Sequence, residues 1–370
     1  MNDVVEVNEI DALRSYHLAW TALHAETPRA SFFQTFEWLE NYWRHRGEGQ
    51  RLRVLIVRAN GRPLGIVPLV ERTERSRLGP VRVLTYPLDN WGSNFGPIGP
   101  SRTATLALAM KHLASTPRTW DVFAPRWTLH DTVDRGRTEH AMRLAGLPAT
   151  VESQSTTSLI EFGAFADWDA YLRSRSTKTR HEVRRQRRRL ERQHHVEFVR
   201  FRPEALRHGN GDPHWTAYAQ CLAIAEKSWQ ASSADGNTLS NDSVAPLLVD
   251  AHQQAARLGM LDMSLLLLDG QPAAYYYGYH CDGEVVGLRT GYDPDATGGT
   301  GSVLIGHLIE DSFARGDTRL DLGVGTQQYK RRLRTNVEKT SRLTHIARGA
   351  WRPQALRAAR WCKKRLRVAG

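Results

Sequence analysis

Two stretches of the chain repeat one pattern of apolar and polar positions. Residues 53–70 read RVLIVRANGRPLGIVPLV, and residues 262–279 read DMSLLLLDGQPAAYYYGY. Each is an apolar run, then Asn-Gly or Asp-Gly, one polar residue, a proline and a second apolar run. Asn60-Gly61 and Asp269-Gly270 favour the positive φ angles of a tight turn, so both stretches predict β-hairpins. Pro63 and Pro272 fall at the start of the return strand, where a missing N–H is tolerated. Helical periodicity precedes each copy, over 31–46 and over 244–259, the second ended by Gly259 as a C-cap. More strand follows each, VRVLTYP over 81–87 and EVVGLRTGY over 284–292. After the second copy come a glycine-rich loop, an apolar helix from about Ser302 to Ala314, and a strand, RLDLGV, over 319–324. That order predicts a mixed α/β layer, a sheet covered by helices, present twice in one duplicated chain.

Length and composition agree with this. The 370 residues are enough for two domains, and 41% hydrophobic with 24% charged residues is the composition of a soluble globular protein. The start, MNDVVEVNEIDALRSYHLAW, lacks the basic end and apolar run of a signal peptide. Cys221, Cys281 and Cys362 show no paired spacing, which suits a reducing compartment. The expected location is therefore the cytoplasm.

The net charge of +12 is unevenly spread. Residues 173–192, RSRSTKTRHEVRRQRRRLER, hold ten Lys or Arg against Glu182 and Glu191, contributing +8. The tail 351–367 holds seven basic residues and no acid, contributing +7 and leaving the rest of the chain at −3. Two helices are basic and the body is not, which argues against a broad nucleic-acid-binding face. Leu172, Val183 and Leu190 fall within about 20° of one line on a helix, a docking stripe from which the arginines fan out. In the tail, Trp351, Ala355, Ala358, Cys362 and Leu366 form one face. Such a basic amphipathic helix can sit on an anionic membrane or pack on its own domain, so peripheral membrane contact is one expectation for it.

The chemistry concentrates in residues 289–310, RTGYDPDATGGTGSVLIGHLIE, where a strand runs into Gly298, Gly299, Thr300, Gly301 and Ser302 and then a helix. Glycines allow close backbone approach, and the first helical turn offers unpaired N–H groups with a positive dipole, as a phosphate or diphosphate cradle does. No Gly-Lys-Ser/Thr follows, so this is not a P-loop, and the glycines do not fall as G-x-G-x-x-G.

This loop, its helix and LDLGVGTQQYKRRLR (320–334) resemble the C-terminal half of the acetyltransferase family that includes CelD-type cellulose-biosynthesis proteins. That family is a branch of the GNAT superfamily and is similar to the Fem-type aminoacyl transferases. The matching residues are Tyr292, Asp293, Pro294, Gly299, Gly301, Asp321, Gly323, Tyr329 and Lys330. TKTRHEVRRQRRRLER resembles the family's opening basic helix, and EKSWQ (226–230), with Trp229, resembles its Ser-Trp element. The likeness is strongest over about 165–335 and weaker over 30–100.

The resemblance implies a fold class of mixed α/β (α+β) with two tandem GNAT-like domains, each a mostly antiparallel mixed sheet covered by helices. The expected divisions are 1–165, 166–350 with the basic helix opening it, and a C-terminal helix over 351–370. It also implies acyl transfer to an amine from an acyl-CoA such as acetyl-CoA. In that scheme a bulged strand, here 284–292, offers a backbone N–H to the acyl carbonyl, and 298–302 takes the coenzyme A diphosphate. Arg289 and Lys330 are expected beside the coenzyme. The family's usual Gln or Arg three residues before the first loop glycine is replaced by Ala296, counting from Gly299.

Glu226, Asp321 and His280 are candidate bases, and Tyr292 and Tyr329 candidate acids, with Tyr329 also a candidate substrate contact. Asp321 is also open to a role in capping or in pairing with an arginine. His280 beside Cys281 has no ligand spacing around it, and no metal is expected. His194 and His195 are expected to be solvated. Trp91, in PLDNWGSNFGPIGP (87–100), reads either as a substrate contact at a cleft between domains, suited to a sugar ring or acyl chain, or as part of a loop packed by its own aromatics. Arg184 and Arg185 are expected to reach substrate or donor phosphates.

The first expectation is an N-acyltransferase using acyl-CoA on an amine, in the cell-envelope or polysaccharide setting the family suggests. The second is a Fem-like enzyme using aminoacyl-tRNA, although no aromatics interleave the arginines of 173–192 to stack bases. A third is a partner-binding protein with the fold and without the chemistry. The acceptor, the acyl chain and the oligomeric state are not read from the sequence.

Overall fold

A computed structural model describes residues 2–228, 238–325, 327–355 and 358. The chain falls into two compact units, residues 1–155 with 339–370 and residues 156–338, against expected divisions at 165/166 and 350/351.

In the first unit, β1 (Asn2–Val7) is followed by the helices α1 (Ile10–Leu13), α2 (His17–Ala25) and α3 (Phe36–Arg46). Next come β2 (Arg51–Ala59), β3 (Arg62–Ser76), β4 (Gly79–Thr85), α4 (Arg102–Ser115), β5 (Val122–Phe123) and α5 (Arg137–Leu144). β6 (Thr150–Glu161) crosses from the first unit into the second, which goes on with α6 (Trp168–Ser174), α7 (Thr177–Gln193), β7 (Val196–Phe201), α8 (Trp215–Lys227) and α9 (Ala245–Arg257). The second unit continues through β8 (Leu261–Leu268), β9 (Gln271–Cys281), β10 (Glu284–Tyr292), α10 (Thr300–Arg315), β11 (Arg319–Val324) and α11 (Gln328–Leu333), and β12 (Asn336–Ile346) leads back to the first.

The strand order is β1-β2-β3-β4-β5-β12 in the first unit and β7-β8-β9-β10-β11-β6 in the second. Both are antiparallel meanders in which the third strand of the repeat pairs parallel with the strand after the helix, β4 with β5 and β10 with β11. The repeat extends to detail. Both hairpin turns have two successive positive φ angles, at Asn60-Gly61 and Asp269-Gly270. Each hairpin has a register shift beside its proline, at Val57/Arg58 opposite Pro63 and at Leu266/Leu267 opposite Pro272. Runs such as LLLL and YYY are buried on both faces, because helices cover both sides of these central strands.

The basic segment is two helices where the sequence predicts one. Ser176 breaks it: its hydroxyl accepts the Thr179 N–H at 3.2 Å and caps α7, while Arg175 is extended. Leu172 therefore belongs to α6, and Leu190 and Val183 alone of the expected stripe dock α7 on the core. That core also holds Ile160, Leu266, Tyr276, Val285, Leu304 and Leu308. α10 starts two residues earlier than expected, at Thr300, and ends at Gly316, whose φ of +72° closes it as a C-cap.

The loop 86–101 packs on the first unit itself. Ile98 exchanges backbone hydrogen bonds with Ile66 at 2.8 and 2.9 Å, Gly99 N–H donates to Thr27 Oγ1 at 2.7 Å, and Phe95 stacks on Tyr86. Trp91 is buried within this loop, at 6% exposed. In the tail, Trp351, Ala355 and Ala358 are exposed, and Cys362 and Leu366 lie outside the described residues. Among the described residues no helix is long and apolar enough to cross a membrane.

Candidate active site

The second unit's sheet opens at one point. β10 and β11 pair only at Glu284↔Arg319, Val285↔Leu320 and Val286↔Asp321, yet β10 runs on to Tyr292 and β11 to Val324. Beyond Val286 the two strands part and form a wedge. Where they part, the β9–β10 register slips between Gly287 and Arg289, so Leu288 is the extra residue of a bulge. A bulge turns backbone groups out of the ladder and towards whatever lies beside it. Gly287 is required there: a Cβ at this position would lie 2.6 Å from Tyr276 Oη and 3.0 Å from the Asp321 carbonyl oxygen. In the first unit the β3–β4 register runs evenly from Val70↔Thr85 to Ser76↔Gly79.

The loop from Asp293 to Gly299 joins the open end of β10 to α10. Asp293 donates its N–H to the Ala273 carbonyl, and its carboxylate pairs with Lys227 Nζ at 2.8 Å, which holds that carboxyl below its ordinary range. Gly299 takes φ +100° and is the N-cap of α10. Among the described residues no side chain caps this first turn, so its N–H groups are left to the surroundings. The ring of Tyr292 lies 3.3 Å from where a Cβ on Gly301 would sit, and Arg189 from α7 donates to the Gly298 carbonyl. The glycines add no side chain at the positive end of this 16-residue helix, where Arg189, Gln186 and Tyr292 come up to the backbone.

The other wall of the wedge ends in Asp321, Gly323 and Lys330. Asp321 is buried and its Oδ1 accepts the Gly323 N–H. Lys330 is 5% exposed, and its Nζ donates to the Val324 carbonyl at 2.8 Å. Burial pushes the Lys330 ammonium down to about 8, with Asp321 partly opposing the shift. Its neighbour Tyr329 is half-buried, and burial pushes its phenol up to about 12, so it keeps its proton at neutral pH. Val324 (54% exposed) and Tyr292 (44% exposed) form the apolar rims at the ends of β11 and β10.

Tyr292, the 298–302 loop, Arg289, Asp321, Tyr329 and Lys330 are thus gathered on the strands and loops that bound the wedge. His280 sits elsewhere. It lies on β9 opposite Val285, at the closed end, about 20 Å along the strand from Ala274, the partner of Tyr292. Burial, and then Arg202, push its imidazole down to about 4. Its surroundings are a buried ion network in which Arg200 and Arg202 each reach Asp262 at 2.7 Å and Arg202 also pairs with Asp317. Glu226 is exposed on the last turn of α8, and Trp229 and Gln230 lie outside the described residues. Arg184 is exposed on α7, and Arg185 pairs with Glu182 at 2.9 Å. Among the described residues no group of three or more His, Cys, Asp or Glu could hold a metal ion.

Gly287 and Tyr276 are absent from the sequence reading, and His194, expected there to be solvated, is instead half-buried with Asp269 and Thr297 as partners. Gly287 carries a legible signal, a glycine inside a strand, which marks a bulge or a close approach. Tyr276, whose hydroxyl spans to Asp321, and His194 carry none, because their roles depend on partners far along the chain.

Residues 177–331 match the family model described as the acetyltransferase (GNAT) domain. No curated protein sequence matches the chain. Among solved structures it is similar to FemX, at 10% identity over 93% of this chain and 97% of that one, with a TM-score of 0.58. It is also similar to a conserved protein of unknown function from Bacteroides thetaiotaomicron VPI-5482 (9% identity, 93% and 100% covered, TM-score 0.53). A third is L-PGS from Bacillus licheniformis (13% identity, 84% and 92% covered, TM-score 0.50). At such identities the likeness is one of fold. Residues 177–331 thus match a GNAT-type acetyltransferase domain, within a mixed α/β fold of two compact units.

Proposed function

We propose that the protein is an N-acyltransferase that moves an acyl group from acyl-CoA to an amine at the wedge between β10 and β11. The observation that carries this reading is the bulge at Leu288 set beside the parting of β10 from β11, one short loop before the bare first turn of α10. The residues present fit the donor: Gly299 and Gly301 put no side chain of their own on the first turn, and the Arg189 guanidinium, the Gln186 amide and the Tyr292 ring stand 3.3–3.6 Å from where their Cβ atoms would sit. Bound acyl-CoA would supply a thioester carbonyl open to attack by the amine.

The chain's own groups then divide the work. The first turn of α10 holds a diphosphate through N–H groups and dipole, with the Arg189 guanidinium beside it. Backbone N–H groups turned out at the bulge donate to a carbonyl oxygen as it gains negative charge. Lys330, poised at about 8, can hold or release a proton near neutral pH, and the Tyr329 phenol stays a donor. Tyr292 and Val324, both exposed, offer apolar surface at the mouth. An amino sugar or polysaccharide precursor as acceptor rests on the CelD-like motif residues, Asp321, Gly323, Tyr329 and Lys330.

The test is the thermal unfolding midpoint with excess acetyl-CoA and a longer acyl-CoA. A ligand selective for the native state raises it by an amount set by concentration over Kd. A rise with either supports the reading, and no rise with either overturns it.

One observation favours a second reading. Arg184, Arg188 and Arg192 are exposed at four-residue spacing on the outer face of α7, a cationic ridge suited to an aminoacyl-tRNA donor. Binding of charged tRNA that weakens steeply with salt, with no midpoint rise from acyl-CoA, would select it.

A further inference from the structure

α7 ends at Gln193, and His194 turns from it into extended backbone (φ −143°, ψ 156°). Its ring has partners on two other segments. Nδ1 lies 2.6 Å from Asp269 Oδ2, in the β8–β9 turn, and Nε2 lies 2.8 Å from Thr297 Oγ1, in the loop that leads to Gly299. A carboxylate only accepts, so Nδ1 carries the proton, and the Thr297 hydroxyl can serve Nε2 in either state of the ring.

Asp269 is a firm anchor. Its Oδ1 accepts the His195 N–H at 2.8 Å, and its own N–H donates to the His195 carbonyl at 2.9 Å. One turn earlier, Arg189 donates to the Gly298 carbonyl. Thr297 and Gly298 are thus gripped from α7 at adjacent residues, immediately before the positive-φ glycine that opens α10. A glycine-rich loop has much backbone freedom to lose when it binds, and a contact that orders it beforehand removes that cost from binding.

We propose that His194, through Thr297 and with Arg189 beside it, is a positioning residue for the anion cradle. It holds the loop so that the first-turn N–H groups of α10 stand ready for the diphosphate of a nucleotide-bearing donor. The inference rests on the donor reading above and adds the element that pre-orders its site. His194 touches no donor atom in this scheme and acts through the loop alone.

His194→Ala and Thr297→Val break the same link from its two ends, and Thr297→Ser keeps the hydroxyl. Two quantities are measured on the full chain: amide hydrogen exchange across 298–302 without ligand, and the calorimetric Kd for coenzyme A and acetyl-CoA. Each breaking variant should speed exchange there and weaken coenzyme A by about tenfold, the scale of ordering one residue. Thr297→Ser should stay within about twofold, and the double variant should be no weaker than either single one, because the two residues share one link.

A merely structural role would lower the thermal midpoint and speed exchange throughout, with Kd unchanged in the folded fraction. If wild type binds coenzyme A and both breaking variants bind it equally well, the positioning role is overturned and the donor reading stands. If wild type binds neither coenzyme A nor acetyl-CoA, the donor reading falls and this inference falls with it. Thr297→Val keeps the test decisive should His194→Ala fail to fold.

Discussion

The hydroxyl of Tyr276 donates to the carbonyl oxygen of Asp321 at 3.1 Å, across the point where β10 and β11 part. Both groups are buried, so the bond fixes the closed end of the wedge and satisfies a carbonyl that water does not reach. Tyr276→Phe should cost about 1–2 kcal/mol of unfolding free energy in a urea titration. An unchanged midpoint would mean that another donor takes up the Asp321 carbonyl.

Lys330 makes stability depend on pH in a defined direction. Its ammonium is pushed from an ordinary 10.5 to about 8, so between these values the unfolded chain binds the proton that the folded one has released. Stability should therefore rise as pH climbs through that window, by roughly 3 kcal/mol at most, with the penalty present in full below it. Lys330→Met should be the more stable protein at neutral pH and should lack the rise. Parallel stability profiles for the two proteins between pH 7 and 10 would show that Lys330 keeps its ordinary affinity.

The cradle predicts a separation of binding from folding. Gly299→Val forces a branched side chain into φ +100°, and Gly301→Val presses on the Tyr292 ring at 3.3 Å. The first change should cost about 1–2 kcal/mol in backbone strain. Both should raise the Kd for acetyl-CoA at least about tenfold, the value of one lost charge-assisted contact, while the circular dichroism spectrum stays that of wild type. Unaltered Kd in both variants would remove this turn from the donor site.

Ser176 is a discrete N-cap, and Ser176→Ala should destabilise the protein by about 1 kcal/mol. A tryptophan-fluorescence denaturation curve reads this directly. No change would mean that α6 and α7 can merge into the continuous helix that the sequence predicts.

Much of the fold was legible in the residues alone. Asn60-Gly61 and Asp269-Gly270 announce their turns because positive φ is cheap only for such residues, and both turns have it. Strands 284–292 and 319–324 were readable from their apolar runs, and the start of α10 from its glycines. These are local properties, set by a residue's own dihedral preferences and its neighbours' periodicity. The break at Ser176 escaped because a run of arginines supports a helix on either side of it. A bulged strand over 284–292 was expected from the family likeness, whereas the burial of Lys330, the Tyr276–Asp321 bond and the His194–Thr297 bridge were decided by tertiary structure. Each joins residues distant in sequence, and its energy depends on a position in space that no local pattern encodes.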